Sequence, residues 1–133
     1  MKVPTILLRS PVWLLLFFVW FGTLWYLSSG PVEIKSSWAI PHLDKVCHFG
    51  YFFGGGGLLS AFLYRMQHQQ PDWTLILIQL MCVMISAGAL DEWHQSWVPE
   101  RSGNDALDLT ADVFGSLSAY LVFRRLHFLL RSE

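Results

Sequence analysis

Four long apolar runs constrain this 133-residue chain more than any other feature. They lie at about 11–28, 45–66, 73–95 and 105–123, with short polar stretches between them. About 20 apolar residues is the length that an α-helix needs to cross the hydrocarbon core of a bilayer. Backbone groups find no water there, so each run must form its hydrogen bonds within itself as a helix. The sequence therefore predicts an all-α integral membrane protein, a single domain over residues 1–133 with four transmembrane helices.

The composition agrees with a membrane protein and excludes two other classes. With 53% hydrophobic and only 14% charged residues, the chain is too apolar for a small soluble domain. The formal net charge is −1 and no basic stripe exists, so we expect no nucleic-acid partner. The two cysteines, Cys47 and Cys82, lie in different apolar runs, and we expect free thiols rather than a disulfide.

The first run has an alternative interpretation as a cleaved signal peptide, because a basic start precedes it and small residues follow it. Its three tryptophans make it bulkier than a usual signal core, which favours a transmembrane helix. The linker from Gly30 to Leu43 is too polar to cross a membrane. We expect this linker to lie along the membrane interface.

The second run contains four consecutive glycines, Gly54 to Gly57, which would weaken a helix in water. In lipid such glycines allow close backbone approach, so we expect a close-contact face on this helix. The short polar loop that follows predicts that the second and third helices are antiparallel neighbours. A second loop precedes the fourth run, and Asn104 or Ser102 is expected to cap that helix.

The distribution of lysine and arginine predicts the orientation. Six of these residues fall on one side of the four runs, namely Lys2, Arg9, Arg65, Arg124, Arg125 and Arg131. Three fall on the other side, namely Lys35, Lys45 and Arg101. Because positive residues are enriched on the cytoplasmic side, we expect both termini in the cytoplasm. The start of the second helix, the end of the third and the start of the fourth then meet at the outer face of the membrane.

The candidate functional groups all lie on that outer side. Six acids are expected to cluster there: Asp44, Asp91, Glu92, Asp105, Asp108 and Asp112. Only Lys45 and Arg101 supply fixed positive charge, which leaves a balance of −4 with neutral histidines. Carboxylates crowded at low dielectric cannot all stay ionised. We therefore expect protonated acids, pairing with His48 or His94, or a bound divalent cation.

Helical spacing predicts which groups share a face. The pairs expected one turn apart are Asp44 with His48, Glu92 with Gln95, and Asp91 with His94. Lys45 is expected to point away from the first pair, near the membrane surface. The aspartates of the fourth run form a ladder that descends about 10 Å along the helix, consisting of Asp105, Asp108 and Asp112.

Each group also has a purely structural interpretation. Asp91 and Asp105 stand at helix ends and are interpreted as solvated caps, and His94 as an interfacial residue beside tryptophans. A functional role is favoured for the deeper acids, which are Glu92, Asp108 and Asp112. The alternative for these acids is a salt bridge that merely ties helix ends together.

Four motifs in register resemble those of a known family. They are Asp44-Lys45-x-x-His48-Phe49, Asp91-Glu92-x-x-Gln95, Val98-Pro99-x-Arg101-Ser102-Gly103 and Asp108-x-x-x-Asp112-x-x-Gly115. Their order and spacing resemble the VanZ-like family over about residues 41–123. The resemblance implies a small bacterial membrane protein of the cell envelope, and the name member of the family is associated with teicoplanin resistance. It implies no settled reaction. Many family members have asparagine where Asp112 stands and glycine where Glu100 stands.

The favoured hypothesis is an outward-facing polar pocket for an amphiphilic envelope molecule, such as a phospholipid or a lipid-linked precursor. The residues expected to bind its headgroup are Lys45, Arg101, Gln95, Asp44 and Asp112. The catalytic candidates, which are also candidate ligands of a divalent metal ion, are His48, Glu92 and Asp108. The glycine face of the second helix would take the acyl or prenyl chain.

Two other classes of function remain open. The first is a non-catalytic protein that confers glycopeptide resistance by binding or shielding envelope components. It is favoured by the absence of a serine or cysteine nucleophile placed beside a base. The second is a small proton-coupled transporter, which the aspartate ladder of the fourth run would suit.

Overall fold

The computed structural model describes residues 4–30, 42–101 and 103–130. Its four long helices are α1 (Ser10–Ser28), α2 (Leu43–Met66), α3 (Trp73–Gln95) and α4 (Ala106–Leu126), flanked by single 3-10 turns at Thr5–Leu8 and His127–Leu130. All regular structure in the described ranges is helical. Four helices are long and apolar enough to cross a membrane, so the prediction of an all-α chain with four such helices is confirmed.

The helix starts follow from local chemistry. Asp72 caps α3, where one carboxylate oxygen accepts hydrogen bonds from the backbone N–H groups of Thr74 and Leu75, both at 3.0 Å. Asp105 caps α4 in the same way, by accepting from the N–H of Leu107 at 2.8 Å. The sequence prediction of Asn104 as this cap is wrong, because Asn104 adopts a left-handed φ of 63° and turns the chain before the helix begins. Its alternative, Ser102, lies outside the described residues.

The α2 helix lies at the centre of the bundle and contacts all three other helices. Two of its glycines lie at close contacts: a Cβ at Gly55 would lie 2.4 Å from the Trp20 ring, and one at Gly56 would lie 3.0 Å from the Ser116 Cα atom. A Cβ added at Gly54 or Gly57 would meet nothing within 4 Å. The predicted close-contact face therefore involves two of the four glycines, and the other two lie on an open side of the helix.

The contact between α1 and α2 includes a reciprocal pair of hydrogen bonds. The Trp20 indole N–H donates to the Tyr51 carbonyl at 3.0 Å, and the Tyr51 hydroxyl donates to the Trp20 carbonyl at 2.8 Å. Both rings also stack, with centroids 5.3 Å apart. Helix α1 is thus an integral part of the bundle, which supports the transmembrane interpretation of the first run over the signal-peptide alternative.

The up-and-down path of the chain creates two distinct ends. At one end, which we call the terminal end, Arg65 donates to the Leu8 carbonyl at 2.8 Å and to the Leu130 carbonyl at 2.9 Å. Both ends of the described chain therefore meet there. At the opposite end, which we call the acidic end, α1 and α3 finish and α2 and α4 begin. The predicted interfacial linker falls mostly on residues 31–41, outside the described ranges.

Candidate functional site at the acidic end

The acidic end gathers every residue that the sequence predicted for the site. They come from the first turns of α2 and α4, the last turn of α3 and the loop between α3 and α4, and are Asp44, Lys45, His48, Glu92, Gln95, Arg101, Asp108 and Asp112. The helix ends bring these groups together because α2 packs against α4 and both pack against α3. The contacts divide the residues into three groups, which are described in turn.

The first group surrounds the ammonium of Lys45. Its Nζ atom lies 2.8 Å from an oxygen of Asp44, 2.5 Å from one of Asp105 and 3.0 Å from Oδ1 of Asp108. The third contact is an ion pair whose angles do not meet hydrogen-bond geometry. Lys45 was expected to point away toward the membrane surface. It turns inward instead, because three carboxylates on α2 and α4 attract the only lysine among the described residues of this end.

Asp105 combines two structural tasks, and the expectation that it caps a helix agrees with its contacts. The hydrogen bond from Lys45 holds the pKa of the Asp105 carboxyl below its ordinary value, and the bond from the Leu107 N–H acts in the same direction. Its side chain is 27% exposed, so it is partly solvated as well as paired. Asp105 therefore stays ionised near neutral pH.

The second group is the pair of His48 and Asp112. The Nδ1 atom of His48 lies 3.0 Å from Oδ1 of Asp112, whose side chain is 1% exposed. The other carboxylate oxygen, Oδ2, is buried and has no hydrogen-bond partner among the described residues. It lies against Gly88, where an added Cβ would come within 2.8 Å of it. Sequence analysis missed Gly88, because a single glycine in an apolar run gives no sign of the side chain that needs the space.

The third group lies at the end of α3 and consists of Asp91, Glu92 and Gln95 together with Arg101 of the following loop. Glu92 connects α3 to the start of α4. Its Oε2 atom accepts a hydrogen bond from the backbone N–H of Asp105 at 2.7 Å. The other oxygen, Oε1, is buried and without a hydrogen-bond partner in the described part of the chain. The residue is only 4% exposed. One oxygen therefore holds the helix connection, and the other stays available to a ligand.

His48, Glu92 and Asp108 lie close together. Each residue offers one ligand atom, and these three atoms lie within 4.8 Å of one another. Glu92 and Asp108 are each 4% exposed, and His48 is half-buried. An imidazole and two carboxylates at this spacing can share protons or hold a divalent metal ion.

Asp91 differs from its predicted role. It is 1% exposed, so it is not a solvated helix-end acid. One of its oxygens accepts a hydrogen bond from the Ser28 hydroxyl of α1, and the other accepts from Gln95 Nε2 at 2.7 Å. Gln95 thus pairs with Asp91 rather than with Glu92. His94, the expected partner of Asp91, instead stacks on Trp25 with ring centroids 4.0 Å apart.

Arg101 binds the end of α1. It donates to the Gly30 carbonyl at 2.9 Å, to the Leu27 carbonyl at 2.8 Å and to Gln95 Oε1 at 3.3 Å. Both cations expected to bind an anionic headgroup, Lys45 and Arg101, therefore already have partners within the protein. Lys45 and Arg101 thus hold helix ends together.

A surface groove of about 540 Å³ lies elsewhere, on the C-terminal part of α4. It is lined by Leu121, Val122, Arg124 and Arg125 and includes none of the acids. It lies toward the terminal end of the bundle, whereas the buried carboxylates of the described residues all lie at the acidic end. We therefore take the buried ionisable cluster, rather than this groove, as the candidate site.

Comparison with known proteins gave no match among family models, curated proteins or solved structures. The resemblance to the VanZ-like family thus depends on the four sequence motifs alone. The structure brings residues from all four motifs to one end of the bundle.

Proposed function

We propose that the chain is a VanZ-like protein of the bacterial inner membrane whose site binds the headgroup of a phospholipid or lipid-linked envelope molecule. The acidic end faces outward in this proposal. As an enzyme, the protein would modify that headgroup. The observation that carries the proposal is the convergence of buried ionisable side chains at one end of four membrane-length helices. Such residues are costly in a membrane and are retained mainly for function.

The depth of the cluster suits a lipid headgroup. Asp105 stands at the start of α4 and Asp112 lies seven residues further along the helix. At a rise of about 1.5 Å per residue, the cluster extends about 10 Å inward from the helix end. This range covers the boundary between the headgroups and the hydrocarbon core, where an amphiphile presents its polar part.

The open side of α2 offers space for the apolar part of the same molecule. Gly50, Gly54 and Gly57 follow one another at helical spacing, and a Cβ at any of them would meet nothing within 4 Å. Gly50 is two residues beyond His48, so the stripe begins at the level of the ionisable cluster but on the opposite side of α2. A chain lying along the stripe would place its headgroup at the acidic end.

The enzyme version of the proposal uses water as the nucleophile. The pair of His48 and Asp112 has the arrangement in which a carboxylate fixes an imidazole for proton transfer. Glu92 and Asp108 are the other candidate bases. Cys47, the cysteine next to His48, is exposed on another side of α2 and is therefore a poor nucleophile for this site.

The lipid proposal is tested with the full chain released from native membranes, by mass spectrometry of the lipids that remain bound. We expect one lipid class to be enriched at least about fivefold over the bulk membrane. Gly54→Leu should remove the enrichment, because leucine would fill the open stripe without a clash. Gly22→Leu is the matched control, since Gly22 on α1 also has nothing within 4 Å. Bound lipid with the composition of the bulk membrane would contradict the proposal.

The orientation is tested separately by fusing a reporter that is active only outside the cytoplasm to residue 133. We expect an inactive fusion, because the lysine and arginine distribution predicts cytoplasmic termini. A fusion after Ser96, at the end of α3, should be active. The reverse pattern would turn the acidic end toward the cytoplasm and exclude an outward-facing site.

A further inference from the structure

We propose that His48, Glu92 and Asp108 bind a divalent transition-metal ion of the zinc or manganese kind, and that Asp112 orients His48 for this task. The inference rests on the proposed function and deepens it, because the ion would hold the phosphate of the bound headgroup. Three features of the site support it: the positions of the candidate ligand atoms, the charge balance, and the contrast with the neighbouring acids around Lys45.

The distances between the ligand atoms of His48, Glu92 and Asp108 are compatible with one metal ion. One ligand atom from each of the three residues lies within 4.8 Å of the others. Ligand atoms around a tetrahedral zinc ion lie about 3.4 Å apart, since each bond is about 2.1 Å long. On binding, rotation of the side chains would have to close this difference. The three ligands come from three different helices. His48 is on α2, Glu92 on α3 and Asp108 on α4, so the ion would join all three helices.

The hydrogen bond between His48 and Asp112 suits a metal ligand. When Asp112 is ionised it can only accept, so the Nδ1 atom of His48, 3.0 Å away, then carries the hydrogen. In the neutral ring the lone pair then lies on Nε2. A histidine that donates one N–H to a carboxylate and binds a metal through its other nitrogen is the usual arrangement in metal sites.

The unpaired oxygen of Glu92 is an observation independent of the clustering. Oε1 of Glu92 is buried and has no hydrogen-bond partner among the described residues, although the residue is only 4% exposed. Buried polar atoms without partners are rare, and an ion or water that binds there is a common reason for them. A metal ion would supply the missing partner of this oxygen.

The charge balance favours a cation over an anion as the first ligand. Lys45 and Arg101 are paired within the protein, and the buried acids would repel a phosphate that approached them directly. A divalent ion reverses the local sign and dominates the field of its site. It would keep a coordination position open for a phosphate oxygen, which resolves the conflict between an acidic site and an anionic headgroup.

A second set of acids, which surrounds a lysine, serves as a comparison for the proposed metal site. Asp44, Asp105 and Asp108 also offer ligand atoms within 4.8 Å of one another. The Lys45 ammonium lies among them, at 2.8, 2.5 and 3.0 Å from their oxygens. Lys45 thus contacts all three acids of that set, whereas in the set with His48 it contacts Asp108 alone. The nitrogen ligand also favours a transition metal such as zinc over calcium and magnesium, which prefer oxygen ligands.

The test first measures the metal content of the full chain, purified in detergent without chelator. The bound metal is then removed, and the protein is titrated with Zn²⁺ and with Co²⁺ as a spectroscopic probe. We expect about one equivalent per chain. His48→Ala and Glu92→Gln should each weaken binding more than tenfold. Asp112→Asn should retain one equivalent with affinity reduced about 10- to 100-fold, because asparagine can still accept from His48. The matched control is Asp44→Asn, which removes an acid from the Lys45 set only.

Folding is followed by thermal melting of each variant. Glu92→Gln keeps an oxygen that can accept from the Asp105 N–H, so it remains informative if His48→Ala fails to fold. Wild-type protein without bound metal, or equal loss in Asp44→Asn and Glu92→Gln, would overturn the proposal. Lipid enrichment that persists in wild type after the metal is removed would overturn the role of the ion in holding the headgroup and would leave the proposed function standing. One bound metal without any lipid enrichment would support the metal site and reject the headgroup function.

Discussion

Among the described residues, the buried cation of the terminal end has only neutral partners, whereas buried carboxylates outnumber the cations at the acidic end. Arg65 is 9% exposed and donates to two backbone carbonyls, while Tyr120 donates to a third. At the acidic end, Glu92 and Asp112 each keep a buried oxygen without a hydrogen-bond partner in the described ranges. Satisfied donors stabilise a fold and leave no capacity for a ligand. Unsatisfied acceptors cost stability and suit a binding site.

The largest expected effect on stability is at the terminal end. Arg65→Ala should lower the free energy of unfolding by about 3 kcal/mol, because two hydrogen bonds from a charged group to buried carbonyls are lost. Thermal melting of the detergent-purified chain measures the change, and metal content should stay at the wild-type level. The control is Arg125→Ala, at an exposed position of α4. Loss of metal in Arg65→Ala would show that the two ends are coupled rather than independent.

A change of opposite sign is expected at the acidic end. Asp108→Asn removes a buried charge while it keeps the shape of the side chain, so stability should be unchanged or rise by about 1 kcal/mol. Lys45 retains Asp44 and Asp105 as partners. Bound metal and lipid enrichment should both fall to background. A strongly destabilised variant would indicate that Asp108 is a structural salt bridge, and our comparison of the two ends would fail.

Tyr120→Phe tests a single neutral hydrogen bond at the terminal end. The Tyr120 hydroxyl donates to the Trp73 carbonyl at 2.8 Å, and its loss should cost about 1 kcal/mol. Phenylalanine keeps the ring, so the packing against Trp73 remains. We expect a lower melting temperature with unchanged ligand binding, measured as for Arg65→Ala. Tyr26→Phe is a suitable control, since Tyr26 is 78% exposed.

The smallest effect concerns pH. Hydrogen bonding to Lys45 lowers the pKa of Asp105 below the ordinary value of 3.8. Asp105 therefore contributes stability that is present above its ordinary pKa and is lost as the pH falls through its lowered value in the folded chain. Wild type should melt higher than Asp105→Asn at neutral pH, and the two should converge in acid. A difference that is constant across this range would mean that the charge of Asp105 does not contribute.

The helices were predictable because the need to cross a membrane imposes length and hydropathy on each segment separately. The prediction that His48, Glu92 and Asp108 share a site depended on helix connectivity, and the described geometry brings them within 4.8 Å. The partner of Asp91 was not predictable in the same way. Its burial depends on Ser28 of α1, and helical periodicity within α3 carries no information about which helix packs against it.

The direction of Lys45 and the partners of Arg101 were missed for a related reason. Position on a helix gives the starting direction of a side chain, but a long flexible side chain turns toward the nearest opposite charge. Lys45 turns toward acids on α4 that lie 60 and 63 residues away in sequence. Arg101 binds backbone carbonyls of Leu27 and Gly30, and a carbonyl leaves no trace in the amino-acid sequence.

The attachment of Arg65 to Leu8 and Leu130 sets an order for biosynthesis. The Leu8 carbonyl is made early, but the Leu130 carbonyl enters the membrane region only after all four helices have left the ribosome. Until then, Arg65 has a hydrogen-bond donor without its second acceptor. A chain that stops short of residue 130 would therefore lack this second attachment between the end of α2 and the turn that follows α4.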